Sequence, residues 1–257
     1  MKQIPNIFTV LNLFFGCLAI VAMLQPGLTT TIDDQNGLQV IILPENMYLA
    51  SVFIGIAAVI DFLDGFVARL LKATSPLGAQ LDSLADVVSF GVAPGMIVFQ
   101  FLRWSFAQQD DGLDVSMFAV LPAFIIPCAG AYRLARFNVD PGQSYGFKGV
   151  PIPAAGILVA SFPLIYWYSD QAWAIKLLAN EWFWYAIIFL VSYLMVSSLP
   201  MLALKFKGAS FRKLMPFILL AVIAVAAAVV TGWLAVPVTF IAYVIVSLIY
   251  KPKDHDL

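Results

Sequence analysis

Four aspartates lie in or beside long apolar stretches of the chain. Asp61 and Asp64 are three residues apart, and Asp82 and Asp86 are four apart, so each pair projects from one face of a helix. An ionised aspartate costs about 2.5 to 3.5 kcal/mol at the centre of a membrane helix, so four of them require compensation or a polar cavity. A short turn joins the two apolar stretches, and we therefore expect the pairs to meet as one cluster of carboxylates.

Such a cluster is suited to binding divalent cations. Carboxylates crowded together in a low dielectric repel one another unless a cation lies between them. Oxygen ligands favour a hard ion such as Mg²⁺, Mn²⁺ or Ca²⁺ over zinc, and the single histidine, His255, lies in the C-terminal tail. Two bridged divalent ions would match the four negative charges, and together with Arg69 they would leave positive charge for an anionic substrate.

The elements that must position these residues are membrane helices. Of the 257 residues, 62% are hydrophobic and only 11% are charged, which contradicts a soluble protein. A bilayer-spanning helix needs roughly 20 apolar residues. Apolar runs bounded by Pro, Gly and charge predict an all-α polytopic membrane helix bundle, a single integral-membrane domain over residues 1–257 with about eight transmembrane helices, at approximately 6–24, 47–71, 77–102, 116–136, 152–169, 182–204, 213–230 and 233–250.

The basic residues predict how these helices are oriented. With the N-terminus in the cytoplasm, only Arg103 and Lys176 fall on the outer side. This bias predicts an even number of crossings, both termini in the cytoplasm and the aspartates close to the cytoplasmic face. Twelve residues fall on the inner side: Lys2, Arg69, Lys72, Arg133, Arg136, Lys148, Lys205, Lys207, Arg212, Lys213, Lys251 and Lys253.

Composition and charge weigh against other functional classes. With 14 Lys+Arg against 15 Asp+Glu, a net charge of −1 gives no support for a nucleic-acid-binding surface. Intramembrane acids could instead line the path of a divalent-cation transporter. A transport path needs polar groups through the bilayer midplane, however, whereas these acids crowd at one face. A purely structural membrane protein would leave four aspartates unexplained.

The motif that contains the aspartates resembles the signature of the CDP-alcohol phosphatidyltransferase family. All eight fixed positions are present: Asp61-x2-Asp64-Gly65-x2-Ala68-Arg69-x8-Gly78-x3-Asp82-x3-Asp86. Flanking segments resemble the phosphatidylserine synthase branch of that family, and they are IPNIFTVLN at 4–12, SFGVAPG at 89–95, RLARFN at 133–138 and FKGVPIPAA at 147–155. The resemblance runs from residue 4 to about 155.

The resemblance implies a fold and an activity. It implies a six-helix catalytic core, approximately residues 1–204, with additional helices at approximately 213–250. The implied enzyme lies in a cytoplasmic membrane of bacterial or archaeal type with its active site facing the cytoplasm, and it often forms a homodimer. It would transfer the phosphatidyl group of CDP-diacylglycerol to L-serine, using two divalent cations, Mg²⁺ or Mn²⁺, with Ca²⁺ as a substitute in crystals, and it would release CMP.

The resemblance also implies roles for single residues. Asp61, Asp64 and Asp82 would bind metal, and Asp86 would contact metal and act as the general base. The CDP moiety would be held by Asp64, Gly65, Ala68, Arg69 and Gly78, with help from Pro5, Asn6 and Thr9. For Gly65, Ala68 and Gly78 an alternative is tight helix packing, which small residues commonly serve in membranes. Gly91 and Gly95, with Pro94 between them, favour close packing and a kink.

The acceptor is selected by the flanking segments alone, because the motif also permits glycerol 3-phosphate or inositol phosphate. The carboxylate of serine requires a cation, and Arg133 and Arg136 lie at the depth of the aspartates, with Lys148 in the following loop. The planar guanidinium of arginine suits a carboxylate or a phosphate. All three residues could instead be orientation anchors, and for Lys148 this alternative carries at least equal weight.

Overall fold

The computed structural model describes residues 4–24, 29–32, 39–71, 75–109, 115–139, 147–202 and 211–250. Its α-helices are α1 (Ile4–Leu24), α2 (Met47–Leu70), α3 (Pro76–Asp86), α4 (Ala93–Ala107), α5 (Met117–Val120), α6 (Ile125–Val139), α7 (Ile152–Tyr168), α8 (Ala172–Leu178), α9 (Glu181–Val196), α10 (Phe211–Thr231) and α11 (Ala235–Ile249). Two short antiparallel strand pairs are β1 (Thr29–Ile32) with β2 (Gln39–Ile42), and β3 (Phe147–Lys148) with β4 (Pro200–Met201). Both chain termini and the basic residues Lys2, Lys72, Lys205, Lys207, Lys251 and Lys253 lie outside the described residues.

The chain is a helical membrane protein, as predicted, and a helix occupies each of the eight predicted positions. By length and composition, five helical stretches are able to cross a bilayer, or six if the bent pair α8 and α9 is one span. The helix α7 is shorter, at 17 residues. The predicted spans at 77–102 and 116–136 are each composite, because a π-helical segment (Val87–Val92) joins α3 to α4 and a 3₁₀ turn (Leu121–Phe124) joins α5 to α6.

The two last helices form a hairpin. Residues 214–249 are a helical stretch of 36 residues, which is longer than one crossing requires. Gly232 interrupts this stretch with a φ of +58°, a conformation that glycine adopts readily. The helices α10 and α11 pack against each other and line one cavity of about 490 Å³, with Ala228 and Ala235 at one end and Leu220 and Tyr243 at the other. This arrangement agrees with the two separate helices predicted from the sequence.

The helix α9 ends at Val196 instead of the predicted residue 204. Ser197 has an extended backbone, and its hydroxyl donates to the carbonyl of Leu194 at 2.9 Å. Leu199 precedes Pro200, a position where helical backbone is sterically disfavoured. The chain therefore leaves the helix and forms β4.

The helix α1 packs against α2, α3 and the π-helical segment. A Cβ atom on Gly16 would collide with Ser89, lying 2.8 Å from its Cα atom, so the close approach of these two segments requires glycine. The hydroxyl of Ser89 donates to the carbonyl of Asn12 at 3.1 Å. These contacts hold α1 against the residues that follow Asp86.

The close packing predicted for Gly91 and Gly95 is present. A Cβ on Gly91 would lie 3.3 Å from Pro127 Cα, and one on Gly95 would lie 3.2 Å from Pro127 Cδ. A π-helical segment (Val87–Val92) begins directly after Asp86 and ends before Pro94, and the kink at Pro94 stays a prediction. Short π-helical segments inside α-helices frequently occur at functional sites.

Candidate active site

The structure brings the four aspartates together. One carboxylate oxygen from each of Asp61, Asp64 and Asp82 lies within 4.8 Å of the others. Asp86 is one turn beyond Asp82 on α3, and its carboxyl group interacts with that of Asp61. The C-terminal halves of α2 and α3 therefore contribute one pair of aspartates each, as the three- and four-residue spacings predict.

The burial of these carboxylates fits a bound divalent cation. Asp64 is 6% exposed and Asp86 is 7% exposed, while Asp61 and Asp82 are half-buried. The Oδ1 atom of Asp86 is buried and has no hydrogen-bond partner among the described residues. A buried oxygen is normally hydrogen-bonded, so this unpartnered oxygen next to three other carboxylates is available as a ligand. Carboxylate oxygens are the ligands that Mg²⁺ and Mn²⁺ prefer. The cluster can therefore bind divalent metal.

The N-terminal part of α1 forms a wall of this site. The hydroxyl of Thr9 donates to Oδ2 of Asp64 at 2.8 Å and lies 3.2 Å from the carbonyl of Pro5, one turn earlier. Asn6 approaches α3, because a Cβ on Gly78 would lie 3.1 Å from Asn6 Oδ1. At the start of α3, Ser75 accepts a hydrogen bond from the amide of Gly78 at 3.0 Å. The N-terminal residues suggested by the resemblance thus lie between the two aspartate pairs.

The small residues of the motif differ in their surroundings. A Cβ on Gly65 would meet no atom within 4 Å, so tight packing does not explain this glycine. Gly78 is closely approached by Asn6 and Ser75, as tight packing predicts. Ala68 is half-buried, and Arg69 is exposed in the last turn of α2. The open space at Gly65 lies beside Asp64, where a ligand of the cluster would be bound.

The three basic residues proposed for the acceptor lie in different environments. Arg133 on α6 is 6% exposed, interacts electrostatically with Asp86, and has no hydrogen-bond partner for its Nε atom among the described residues. Arg136 donates through Nη1 to the carbonyl of Val196 at 3.2 Å, and so caps the end of α9. Lys148 is exposed on β3, opposite Pro200 of β4. Of the three, Arg133 is the buried one, and it interacts electrostatically with an aspartate of the cluster.

The structure adds residues that the sequence reasoning missed. Asn12 is completely buried one turn beyond Thr9, and neither its Oδ1 nor its Nδ2 has a hydrogen-bond partner among the described residues. Ser89, one turn beyond Asp86, is also completely buried. The signal for Asn12 was its spacing of three from Thr9 within an apolar stretch, which puts both polar side chains on one helical face.

Comparison with known proteins identifies the family. A family model described as CDP-alcohol phosphatidyltransferase matches residues 2–191, which is well over half of the chain. The CDP-diacylglycerol–serine O-phosphatidyltransferase of Helicobacter pylori strain J99 is 36% identical over 157 residues, covering 60% of this chain and 54% of that protein. The chain therefore matches about half the length of that relative.

Two further relatives are covered more fully. The CDP-diacylglycerol–serine O-phosphatidyltransferase of Bacillus subtilis strain 168 is 31% identical, with 65% of this chain and 78% of that protein aligned. The archaetidylserine synthase of Methanothermobacter thermautotrophicus is 31% identical, with 80% of this chain and 72% of that protein aligned. Because the family model spans the aspartates and α1 as well, the chain belongs to the CDP-alcohol phosphatidyltransferase family.

Proposed function

We propose that this protein is an integral-membrane phosphatidylserine synthase that transfers the phosphatidyl group of CDP-diacylglycerol to the hydroxyl of L-serine and releases CMP. The observation that carries the proposal is the convergence of the four aspartates, with a buried Arg133 that interacts electrostatically with Asp86. The names of the relatives from H. pylori and B. subtilis support serine as the acceptor.

Asp61, Asp64, Asp82 and Asp86 would hold two divalent cations, Mg²⁺ or Mn²⁺, with Ca²⁺ as a substitute in crystals. When bound, these ions neutralise the pyrophosphate of CDP-diacylglycerol and stabilise the negative charge of the departing CMP. Thr9 fixes the orientation of Asp64 through its 2.8 Å hydrogen bond. Partners of this kind orient a ligating carboxylate and raise the affinity of the site.

The CDP moiety would lie over the start of α3 and the end of α2. Asp64, Gly65, Ala68, Arg69 and Gly78 would contact it, with Pro5, Asn6 and Thr9 on the side of α1. The open space at Gly65 supports this placement, because no protein atom lies within 4 Å of where its Cβ would be, which leaves room for a ligand.

Asp86 would act as the general base. A carboxylate oxygen of Asp86 that is not bound to metal would accept the proton of the serine hydroxyl. The serine oxygen then attacks the phosphorus that bears diacylglycerol, so a phosphorus–oxygen bond forms to serine and the bond to CMP breaks. Ser83, the neighbour of Asp82, donates to the Ala79 carbonyl and accepts from Asn138, so its hydroxyl is not activated as a nucleophile. Direct attack by serine is therefore favoured over a covalent enzyme intermediate.

Arg133 would bind the carboxylate of serine. It is buried and interacts electrostatically with Asp86, so the amino acid would be held by its carboxylate while its hydroxyl faces the base. Arg136 and Lys148 would attract anionic groups towards the site from a more exposed position. A phosphorylated acceptor would require more buried positive charge than Arg133 alone provides.

We further propose the arrangement in the membrane. The core at approximately 1–204 and the helices at approximately 213–250 would form one domain in a cytoplasmic membrane. Both termini and the aspartates would face the cytoplasm, following the distribution of lysine and arginine. A homodimer is the expected assembly.

The decisive experiment is to incubate the purified protein with CDP-diacylglycerol, Mn²⁺ or Mg²⁺ and labelled serine, and to identify the lipid product. Parallel reactions with glycerol 3-phosphate and inositol phosphate test the other acceptors. Phosphatidylserine should form only with divalent metal and should be lost in excess chelator. Full activity in excess chelator would exclude the metal site. A lipid product formed only with glycerol 3-phosphate or inositol phosphate would show that serine is not the acceptor.

A further inference from the structure

Asn138 is the last residue of the flanking segment RLARFN, and the proposed function gives it no role. It lies near the end of α6, the helix that carries Arg133. Its Nδ2 atom donates to the hydroxyl of Ser83 on α3 at 2.9 Å. The two residues are 55 positions apart in the chain, so this hydrogen bond links α6 to α3, and the two helices also pack against each other.

Ser83 lies between the two aspartates of α3. It follows Asp82 directly and precedes Asp86 by three residues, so it is close to the helical face that carries both carboxylates. Its hydroxyl donates to the carbonyl of Ala79 at 3.1 Å, and the same oxygen accepts from Asn138. Because the single hydroxyl proton is used within α3, the bond to α6 depends on Asn138 as the donor.

Hydrophobic packing does little to fix the rotation of α3 about its axis. Of its 11 residues, all of which the structure describes, only Ala85 and Asp86 are buried. Leu77 and Leu84 are 60% and 63% exposed. An element with few buried apolar contacts is held weakly in place. The rotation of α3 is therefore set by its neighbours, and Asn138 supplies a directional contact from α6.

We propose that Asn138 is a positioning residue, which fixes the rotation of α3 and thereby holds Asp82 and Asp86 in the geometry that a divalent cation requires. Mg²⁺ demands near-ideal octahedral coordination at about 2.0 to 2.1 Å, whereas Ca²⁺ accepts oxygens at about 2.3 to 2.6 Å in a flexible arrangement. A small rotation of α3 would therefore weaken Mg²⁺ binding more than Ca²⁺ binding. The inference rests on the proposed function, because it assumes that the aspartates bind metal.

The test measures metal binding directly, on the purified protein without substrate. Bound Mn²⁺ is determined from the loss of the electron paramagnetic resonance signal of free Mn²⁺, and the affinities for Mg²⁺ and Ca²⁺ follow from displacement of that Mn²⁺. Asn138→Ala should reduce the affinity for Mg²⁺ about three- to tenfold, which corresponds to one hydrogen bond, and the affinity for Ca²⁺ by less than about twofold. Ser83→Thr keeps the hydroxyl and should bind both ions as wild type does.

A double-mutant cycle and a stability control separate positioning from a general loss of structure. Ser83→Ala removes the acceptor of the same bond, so adding it to Asn138→Ala should weaken Mg²⁺ binding by less than about a further twofold. Asn180→Ala is the stability control, because the Asn180 side chain accepts from the Trp182 amide at 2.9 Å and caps α9. This variant should have a lower melting temperature and unchanged affinities for both ions.

Four results would each overturn the inference: wild-type Mg²⁺ affinity in Asn138→Ala, an equal loss of Ca²⁺ affinity, a fully additive effect in the double variant, or an equal loss of Mg²⁺ affinity in Asn180→Ala. Wild-type protein that binds no Mn²⁺ would overturn the metal site of the proposed function, and this inference with it. A failure of serine as the acceptor would leave these binding results unaffected.

Discussion

The hydroxyl of Thr9 lies 2.8 Å from Oδ2 of Asp64, and this hydrogen bond joins residues that are 55 positions apart in the chain. It links the first helix directly to a buried carboxylate of the cluster. Since α1 also contacts α3 and the π-helical segment, one helix sets the distance between the two aspartate pairs.

Thr9→Val should weaken metal binding without unfolding the protein. Valine has nearly the same shape but cannot donate to Asp64, and the loss of such a partner typically costs 10- to 100-fold in metal affinity or activity. The measurement is activity as a function of Mn²⁺ concentration. Thr231→Val is the control, because the Thr231 hydroxyl donates to Ala227 at 2.8 Å at the turn of the C-terminal hairpin. Equal Mn²⁺ requirements in both variants and wild type would contradict the role of Thr9.

Asp86→Asn should lower the rate of CMP release by about 10²- to 10⁴-fold, the usual contribution of a general base. Asparagine keeps the size of the side chain, so thermal unfolding should be close to that of wild type. CMP release is measured with saturating CDP-diacylglycerol and serine. Turnover within a few-fold of wild type would remove Asp86 as the base.

Gly65→Ala should impair CDP-diacylglycerol binding while leaving the fold intact. A Cβ at Gly65 meets no protein atom within 4 Å, and alanine favours a helix by up to about 1 kcal/mol over glycine. Gly55→Ala is a matched control on the same helix, since its Cβ would also meet nothing within 4 Å. Both variants should be as stable as wild type, and only Gly65→Ala should raise the KM for CDP-diacylglycerol. A normal KM in Gly65→Ala would show that the open space is not used by the substrate.

Arg133→Gln and Arg136→Gln should separate acceptor binding from helix capping. Loss of a charge-assisted hydrogen bond costs about 1.5 to 3 kcal/mol, so Arg133→Gln should raise the serine KM by about 10- to 100-fold. Arg136→Gln removes the bond to the Val196 carbonyl and should reduce the melting temperature slightly with a much smaller change in the serine KM. Wild-type kinetics for Arg133→Gln would show that Arg133 does not bind the acceptor and serves only to orient the helix in the membrane.

Asn12→Leu should make the protein more stable and less active. A buried polar group without a hydrogen bond costs about 1 to 3 kcal/mol, and leucine removes that cost at a similar volume. Ser51→Ala is the comparison, because the Ser51 hydroxyl is also buried and unpartnered but lies ten residues before Asp61 on α2. Ser51→Ala should keep full activity. Thermal unfolding and phosphatidylserine formation measure both effects, and full activity in Asn12→Leu would exclude a role for the amide in the reaction.

Some features could be predicted from the sequence because they depend on local rules. The spacing of the aspartates placed each pair on one helical face, and the apolar runs predicted eight positions, each of which a helix occupies. The short strands, the π-helical segment and the early end of α9 depend on contacts between distant residues, which periodicity does not contain.

The buried face of each helix was also beyond prediction, for a reason specific to membranes. Lipid tails are as apolar as leucine, so residues that face lipid and residues that face the protein are of the same type. Phe90 is completely buried and Phe118 is 81% exposed, although both lie in apolar stretches. The burial of Asn12 and of Arg133 could therefore be read only from the packed helices.

The π-helical segment between Asp86 and Ala93 has a consequence for how this protein could change over evolution. An α-helix turns by about 100° for each residue. One additional residue in this segment therefore rotates the side chains of α3 by roughly that angle about the helix axis relative to those of α4. The orientation of the helical face that carries Asp82 and Asp86 is thus independent of the face on which Gly91 and Gly95 pack against Pro127. Inserting or deleting a single residue there would re-aim the carboxylates while the rest of the bundle kept its packing.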